Sequence, residues 1–404
     1  QWQILGVSTP IIKALKDQQF YQPTPIQALT LPPAILGHRD ILGAAETGSG
    51  KTLAFGIPII NGCVRTNTEN YMEKPLYALI LTPTRELAIQ IKDHLTKAAK
   101  YVDIKIAVVL GGMAAVKQER ILSKGPEIVI ATPGRLWELI QYGNPHLCKV
   151  DSVKYLVIDE TDRMLEKGHF QELQQLLEKK KRKHIKSKIK KLTPSQKLEK
   201  IMELVGIKNP KIIDVTKESG CITANLTECR IACTIDHKDY YLYYFLKRYT
   251  GRTLVFCNSI GCVKRLSTLF GILDCKPLPL HASMQQRQRL KNLERFQTDE
   301  NGLLIATDVA ARGLDIPNIE HVIHYQVPRT SESYVHRSGR TARAEKNGIT
   351  VLMMEPSEKQ YYSKLYEDNQ KAIDKKFQKK RKKEIKNLIH LLKQLFYSLH
   401  LVFP

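Results

Sequence analysis

Short apolar runs bounded by turn residues recur along these 404 residues, and each is followed by a stretch with helical spacing. In the first half the runs are "DILGAA" (40–45), "YALILTP" (77–83), "KIAVVL" (105–110), "EIVIATP" (127–133), "YLVID" (155–159) and "KIIDV" (211–215). In the second they are "TLVFCN" (253–258), "LPLHA" (278–282), "GLLIATD" (302–308), "HVIHY" (321–325) and "ITVLMM" (349–354). Runs without polar alternation suit strands covered on both faces, and strand–helix alternation lays successive strands parallel. The expected fold is therefore α/β, with one parallel sheet flanked by helices in each half. Thr216 to Asn225 is short and polar with one glycine, and reads as a linker. The expected division is 1–216 for the first domain, 217–227 for the linker, 228–356 for the second domain and 357–404 for a basic tail.

The partner class follows from charge. Lys and Arg outnumber Asp and Glu by 63 to 40, a formal net charge of +23, which points to a polyanion and to nucleic acid before an acidic membrane. No run of 18 apolar residues reads as a membrane span, so no membrane partner is expected. The lysine runs "EKKKRKHIKSKIKKL" (178–192) and "KKFQKKRKKEIK" (375–386) read as solvated faces or tails that would strengthen RNA association. The 8 cysteines form no C-x-x-C pair, which leaves zinc ribbons and disulfide frameworks unsupported. The chain opens at Gln1 rather than Met and is expected to be a fragment.

Two motifs point to nucleotide chemistry. "AAETGSGKT" (44–52) lies between a strand run and an apolar helical stretch. Gly48 and Gly50 permit the left-handed backbone that lets N–H groups close around a phosphate; Lys51 would reach the outer phosphates and the Thr52 hydroxyl would hold Mg²⁺. Ala45 stands where the general phosphate loop has its first glycine. Further on, strand 155–159 ends in Asp159, Glu160 and Asp162, a cluster that taken alone reads either as a solvated acidic turn or as one whose repulsion a cation or a nucleic acid partner offsets, and beside a phosphate loop the second reading is expected. Asp159 would hold Mg²⁺ and Glu160 would orient or deprotonate the attacking water. Together they read as an NTPase.

The order and text of the remaining motifs resemble the DEAD-box RNA helicases of superfamily 2, over roughly residues 2 to 355. The resemblance implies two tandem RecA-like domains and an RNA-stimulated ATP hydrolase. "FYQPTPIQ" (20–27) resembles the Q motif, in which Gln27 would read the adenine edge and Phe20 pack nearby, implying ATP. Thr47 to Thr52, including Ser49, would form the rest of that pocket, with Asp315 at the ribose. "PTRELA" (83–88), Gly111-Gly112 and "TPGR" (132–135) resemble RNA-contact motifs, which makes Pro83, Thr84, Arg85, Gly112, Thr132, Gly134 and Arg135 RNA candidates. Hydroxyls, glycine amides and arginines suit sugar and phosphate oxygens, giving grip without sequence readout. In the second half "VFCNS" (255–259), Gln286 with Arg289, "ATDVAARGLD" (306–315) and "HRSGRTAR" (336–343) match further motifs. They imply that Arg289 and Thr307 touch RNA and that Arg340 and Arg343 meet the γ-phosphate. The text "YYLYYFL" (240–246), "LPLHASMQQRQRLKNLERF" (278–296) and "HYQVPRTSESYVHRSGRTAR" (324–343) resembles nucleolar members linked to large ribosomal subunit assembly. That implies a monomer in the nucleus, within the nucleolus, acting on pre-ribosomal particles.

The sequence departs from the family in two places. Thr161 replaces the Ala of the D-E-A-D box. More seriously, family members carry a further strand ending in Ser-Ala-Thr, whereas here "FQELQQLL" passes into the lysine run and a helical stretch, "TPSQKLEKIMELVGI" (193–207). That strand belongs beside the phosphate-loop strand, so its omission should remove ladder partners. A missing exon or gene-model error explains the gap economically. The tail "NLIHLLKQLFYSLHLVFP" (387–404) reads as a truncated or out-of-frame end before it reads as a docking helix. The alternative function is an RNA clamp or assembly scaffold uncoupled from unwinding. A DNA-directed translocase of the same superfamily would lack the Q motif, "PTRELA" and "HRSGRTAR".

Overall fold

A computed structural model describes residues 1–45, 48–66, 75–164, 196, 199, 202–203, 205–207, 209–215, 226–308, 316, 318–342 and 347–365. The chain divides into two compact units near residue 219.

The first unit contains α1 (Thr9–Asp17), α2 (Pro25–Ile35), β1 (Ile41–Ala44), α3 (Lys51–Thr66), β2 (Ala78–Leu81), α4 (Arg85–Ala98), β3 (Ile106–Val109), α5 (Ala115–Leu122), β4 (Ile128–Ala131), α6 (Pro133–Gln141), β5 (Tyr155–Ile158), the single turn α7 (Thr161–Met164) and β6 (Lys211–Asp214). Four of these strands form a parallel sheet in the order β3-β4-β2-β5. Its central strands are buried at every position, and alternate residues serve opposite faces. Ile80, Ile128 and Ile130 pack with Ile57, Ile60, Ile91 and Leu95 of α3 and α4. Leu79, Leu81 and Val129 pack with Leu136, Leu139 and Ile140 of α6. Each such side chain contributes about 1.5–3 kcal/mol through removal from water.

The phosphate-loop strand is not part of that sheet. β1 pairs in parallel with β6 as a separate two-stranded sheet. Among the described residues β1 has β6 as its ladder partner and β5 has β2, leaving one edge of each unpaired in the ladder. Both are only partly buried, unlike β2 and β4. This break falls where the omitted strand was expected to remove ladder partners.

The second unit contains β7 (Leu226–Ala232), α8 (Ile235–Arg248), β8 (Thr253–Cys257), α9 (Ile260–Ile272), β9 (Pro277–Leu280), α10 (Gln286–Thr298), β10 (Leu303–Thr307), β11 (His321–His324), α11 (Ser331–Ser338) and β12 (Gly348–Met354). Its sheet is wholly parallel, ordered β7-β12-β11-β8-β10-β9. β7 was absent from the sequence-based strand set, and its first two residues fall inside the expected linker 217–227. It is a largely exposed edge strand carrying Glu228 and Arg230, and such charges protect an edge while hiding its apolar signal.

The expected tail boundary at 357 also moves. Glu358 is buried and accepts from Lys238 Nζ at 2.8 Å and from the Val327 N–H at 2.9 Å. Residues 359–365 are helical, and Leu365 packs against Val327 and Leu352. The second unit therefore extends through Leu365. The lysine runs and the apolar end 387–404 lie outside the described residues.

Candidate nucleotide and RNA site

In the first unit the glycine loop connects β1 to α3. Gly48 and Gly50 have φ of 85° and 91°, in the left-handed region. A Cβ on Gly50 would run into Gln27 Nε2 and lie 3.0 Å from Thr24 Oγ1, so the close approach of α2 requires glycine there. Gln27 is buried; its Oε1 accepts from the Thr24 N–H at 2.9 Å and its Nε2 donates to the Gly50 carbonyl at 3.0 Å. The Q-motif glutamine thus ties the start of α2 to the loop backbone. Phe20, 46% exposed, accepts from the Trp2 indole N–H through its carbonyl at 2.9 Å. Lys51 Nζ donates to the Ala45 carbonyl at 2.6 Å, which folds the ammonium back over the loop. Left-handed glycines and an ammonium above them fit a polyphosphate. Thr47 lies outside the described residues.

At the end of β5, Asp159 Oδ1 accepts from the Glu160 N–H at 2.9 Å. Glu160 has φ of 47°, an uncommon conformation for a non-glycine residue, and its Oε2 is buried with no hydrogen-bond partner among the described residues. An orphaned buried carboxylate oxygen next to the Asp159 carboxylate fits a site that receives water and Mg²⁺, and Thr52, in the first turn of α3, is the hydroxyl of the same hard-oxygen class. Thr161, the departure from the family box, donates its hydroxyl to the Ile158 carbonyl at 3.0 Å. The added polar group is satisfied within its own turn.

The RNA residues expected in the first unit lie along one edge of its sheet. In a parallel sheet all strand C-termini share an edge. Gly111-Gly112 follows β3, Thr132 to Arg135 follow β4, Pro83 to Arg85 follow β2, and the acids follow β5. Thr84 caps α4 and Thr132 occupies the cap position of α6. The Arg85 guanidinium lies over the Gly111-Gly112 backbone, its Nη1 2.6 Å from where a Gly112 Cβ would stand. Gly112 has φ of 76°. Arg135 pairs with Glu138 at 2.7 Å, while its Nε is buried without an acceptor among the described residues.

In the second unit the residue that organises the corresponding edge is Arg337, which the motif reading contained but did not single out. Its Nε and Nη2 donate to Asp308 at 2.5 and 2.6 Å, Nη2 also donates to Asn258 Oδ1 at 2.7 Å, and Nη1 to the Gln326 carbonyl at 3.0 Å. One guanidinium joins the ends of β8, β10 and β11. Thr307 and Arg289 are buried, and Arg340, one turn beyond Arg337, is 2% exposed. Asp315 and Arg343 lie outside the described residues. A side chain with five fixed donors three positions before a named arginine was the available signal for Arg337.

Beneath that turn His324 is fully buried, with Nε2 3.1 Å from both Ser338 Oγ and Thr350 Oγ1 and the ring stacked on Tyr334 at 4.9 Å. Burial, reinforced by the Arg337 charge, holds its pKa well below 6.5. The folded state stays neutral while the unfolded chain takes up a proton near pH 6.5, so stability is present above that pH and falls below it. Each pH unit in that window costs about 1.4 kcal/mol. Urea unfolding of the second unit is expected to show a lower midpoint at about pH 5 than at about pH 7.5, with a flatter dependence in His324→Gln. Equal slopes in both proteins would contradict it.

Two parallel-sheet units, with a glycine phosphate loop and an acid-ended strand in the first and an arginine-bearing helix edge in the second, define the architecture of a nucleotide-driven helicase. The DEAD/DEAH box helicase family model matches residues 24–203 and the helicase conserved C-terminal domain model matches 237–345. The chain belongs to the DEAD-box helicase family. The human ATP-dependent RNA helicase DDX24 is 39% identical over 92% of this chain and 60% of its own length. The Schizosaccharomyces pombe ATP-dependent RNA helicase mak5 is 41% identical over 88% of this chain and 58% of its own. This chain thus spans about half to three fifths of the curated relatives it matches. Mss116p bound to single-stranded RNA and AMP-PNP superposes with a TM-score of 0.75 at 28% identity, covering 90% of this chain and 76% of that one.

Proposed function

We propose that this protein is an ATP-dependent RNA helicase that couples hydrolysis to local strand separation or to remodelling of ribonucleoprotein. The observation that supports this reading best is the shared edge of the first unit, where backbone-gripping motifs and the acid-ended strand follow neighbouring strands. Lys51 and the N–H groups around Gly48 to Gly50 bind the phosphates, and Gln27 holds the loop and reads adenine. Mg²⁺, held by Thr52 and Asp159, would supply charge neutralisation at the phosphates. Glu160 takes the proton of the attacking water. Arg340 and Arg343 meet charge developing on the γ-phosphate, and Asp315 meets the ribose. Pro83, Thr84, Arg85, Gly112, Thr132, Gly134, Arg135, Arg289 and Thr307 hold RNA through its backbone.

The relatives named as ATP-dependent RNA helicases favour this activity, and none of the comparisons supports the clamp alternative. The resemblance of residues 240–246, 278–296 and 324–343 to the large-subunit assembly group supports a nucleolar monomer acting on pre-ribosomal particles.

Steady-state ATPase with and without single-stranded RNA, paired with duplex unwinding, tests the reading; RNA binding without unwinding would revive the clamp. Lys51→Ala is expected to weaken ATP binding about 10- to 100-fold, the range for a lost charged hydrogen bond. Unchanged turnover would remove Lys51 from the phosphate site.

A further inference from the structure

One motif remains without a role in the proposed chemistry. "YYLYYFL" lies on α8, whose inner face buries Lys238, Leu242 and Phe245. The outer face bears His237, Tyr240, Tyr241, Tyr244, Lys247 and Arg248, all exposed and within an arc of about 120° at 100° per residue. Tyr240 is 71% exposed and Tyr244, one turn along, 64%. The solvent face of a helix is ordinarily charged and flexible. Here its centre is three phenol rings. Cations stand at its C-terminal end, where Lys247 Nζ is 5.4 Å from the Tyr243 ring and the Arg248 guanidinium 5.9 Å from Tyr249. The His237 ring lies 6.3 Å from Tyr240 at the other end.

We propose that the outer face of α8 is a second binding surface for single-stranded RNA, with bases stacked on Tyr240 and Tyr244 and phosphates met by Lys247 and Arg248. Aromatic rings interleaved with cations are what sequence-tolerant single-strand binding uses, because every base has a stacking face and every nucleotide a phosphate. A protein partner would be seated by aliphatic anchors as well, and this face has none. Its exposed acid, Asp236, is confined to the first turn; Asp239 is engaged with Arg265 and Tyr325. Position also fits. β7 ends at Ala232 and α8 begins at Ile235, so the tyrosine face starts from the same sheet edge as Asn258, Thr307 and Arg337.

The inference rests on the RNA-directed reading above, and the two fail separately when binding is measured without nucleotide. The probe is a 4-thiouridine-substituted oligo(U) 30-mer, photo-crosslinked to the 404-residue chain and mapped by peptide mass spectrometry. The expected result is a crosslink at 240–244. Affinity should fall about tenfold or more in Tyr240→Ser with Tyr244→Ser and stay within about twofold in Tyr240→Phe with Tyr244→Phe, which keeps the rings. Both variants should melt with the parent. Undiminished affinity in the serine variant, or a crosslink map that omits α8 while the parent binds RNA, overturns the second surface alone. Recovery of a protein on α8 that the serine variant loses, with RNA affinity unchanged, also overturns it. A parent that binds no RNA with or without an ATP analogue overturns both readings.

Discussion

Glu160→Gln is expected to slow RNA-stimulated ATP hydrolysis by about 10²- to 10⁴-fold, the usual yield of a positioned general base, while ATP affinity stays within a few-fold. The substitution preserves size and removes the basic oxygen. The local structure accounts for the asymmetry: a left-handed φ of 47° places the side chain away from the strand direction, and its buried Oε2 has no partner among the described residues. Asp159 receives the Glu160 N–H, so the turn persists when the carboxylate becomes an amide. Single-turnover hydrolysis and fluorescent-nucleotide binding separate the two quantities. A parallel loss of both would place Glu160 in binding rather than proton transfer.

The second large effect is Arg337→Ala, expected to destabilise the second unit by about 3–5 kcal/mol, the cost of leaving partners of a buried charge unpaired. Asp308 is itself partly exposed, with 36% of its side chain accessible, which argues for the lower end of that range. RNA-stimulated hydrolysis should fall with it, because the strand ends bearing Asn258 and Thr307-Asp308 lose their common anchor to the turn leading to Arg340. Arg337→Lys should rescue little, since one ammonium cannot reproduce a fork that reaches Asp308, Asn258 and the Gln326 carbonyl together. Urea unfolding monitored in parallel with ATPase checks both. A variant that unfolds with the parent would show the network to be idle.

Much of the fold was legible because its signal is local. All eleven apolar runs read from the sequence coincide with strands, and the glycine loop occupies the strand-to-helix turn its spacing predicted. The placement of the candidate residues at strand ends was readable for the same reason, since Thr84, Gly112 and Thr132 each follow a recognisable strand. β7 was not legible, because an edge strand with Glu228 and Arg230 on it has neither a continuous nor an alternating apolar pattern. Glu358 was assigned to a basic tail, and its tertiary contacts with Lys238, 120 positions away, and with the Val327 N–H show that it belongs to the second unit.

The sequence by itself determined the class of fold, the phosphate loop, the acid-ended strand and the family, because spacing of apolar, glycine and charged residues specifies local geometry and chemistry. Tertiary structure decided which strands lie side by side, that β1 pairs with β6 apart from β3-β4-β2-β5, that Gln27 clasps the phosphate loop, and that Arg337 joins three strand ends. Ladder partners and buried polar networks join residues distant in the chain, and they are chosen by packing across the whole unit.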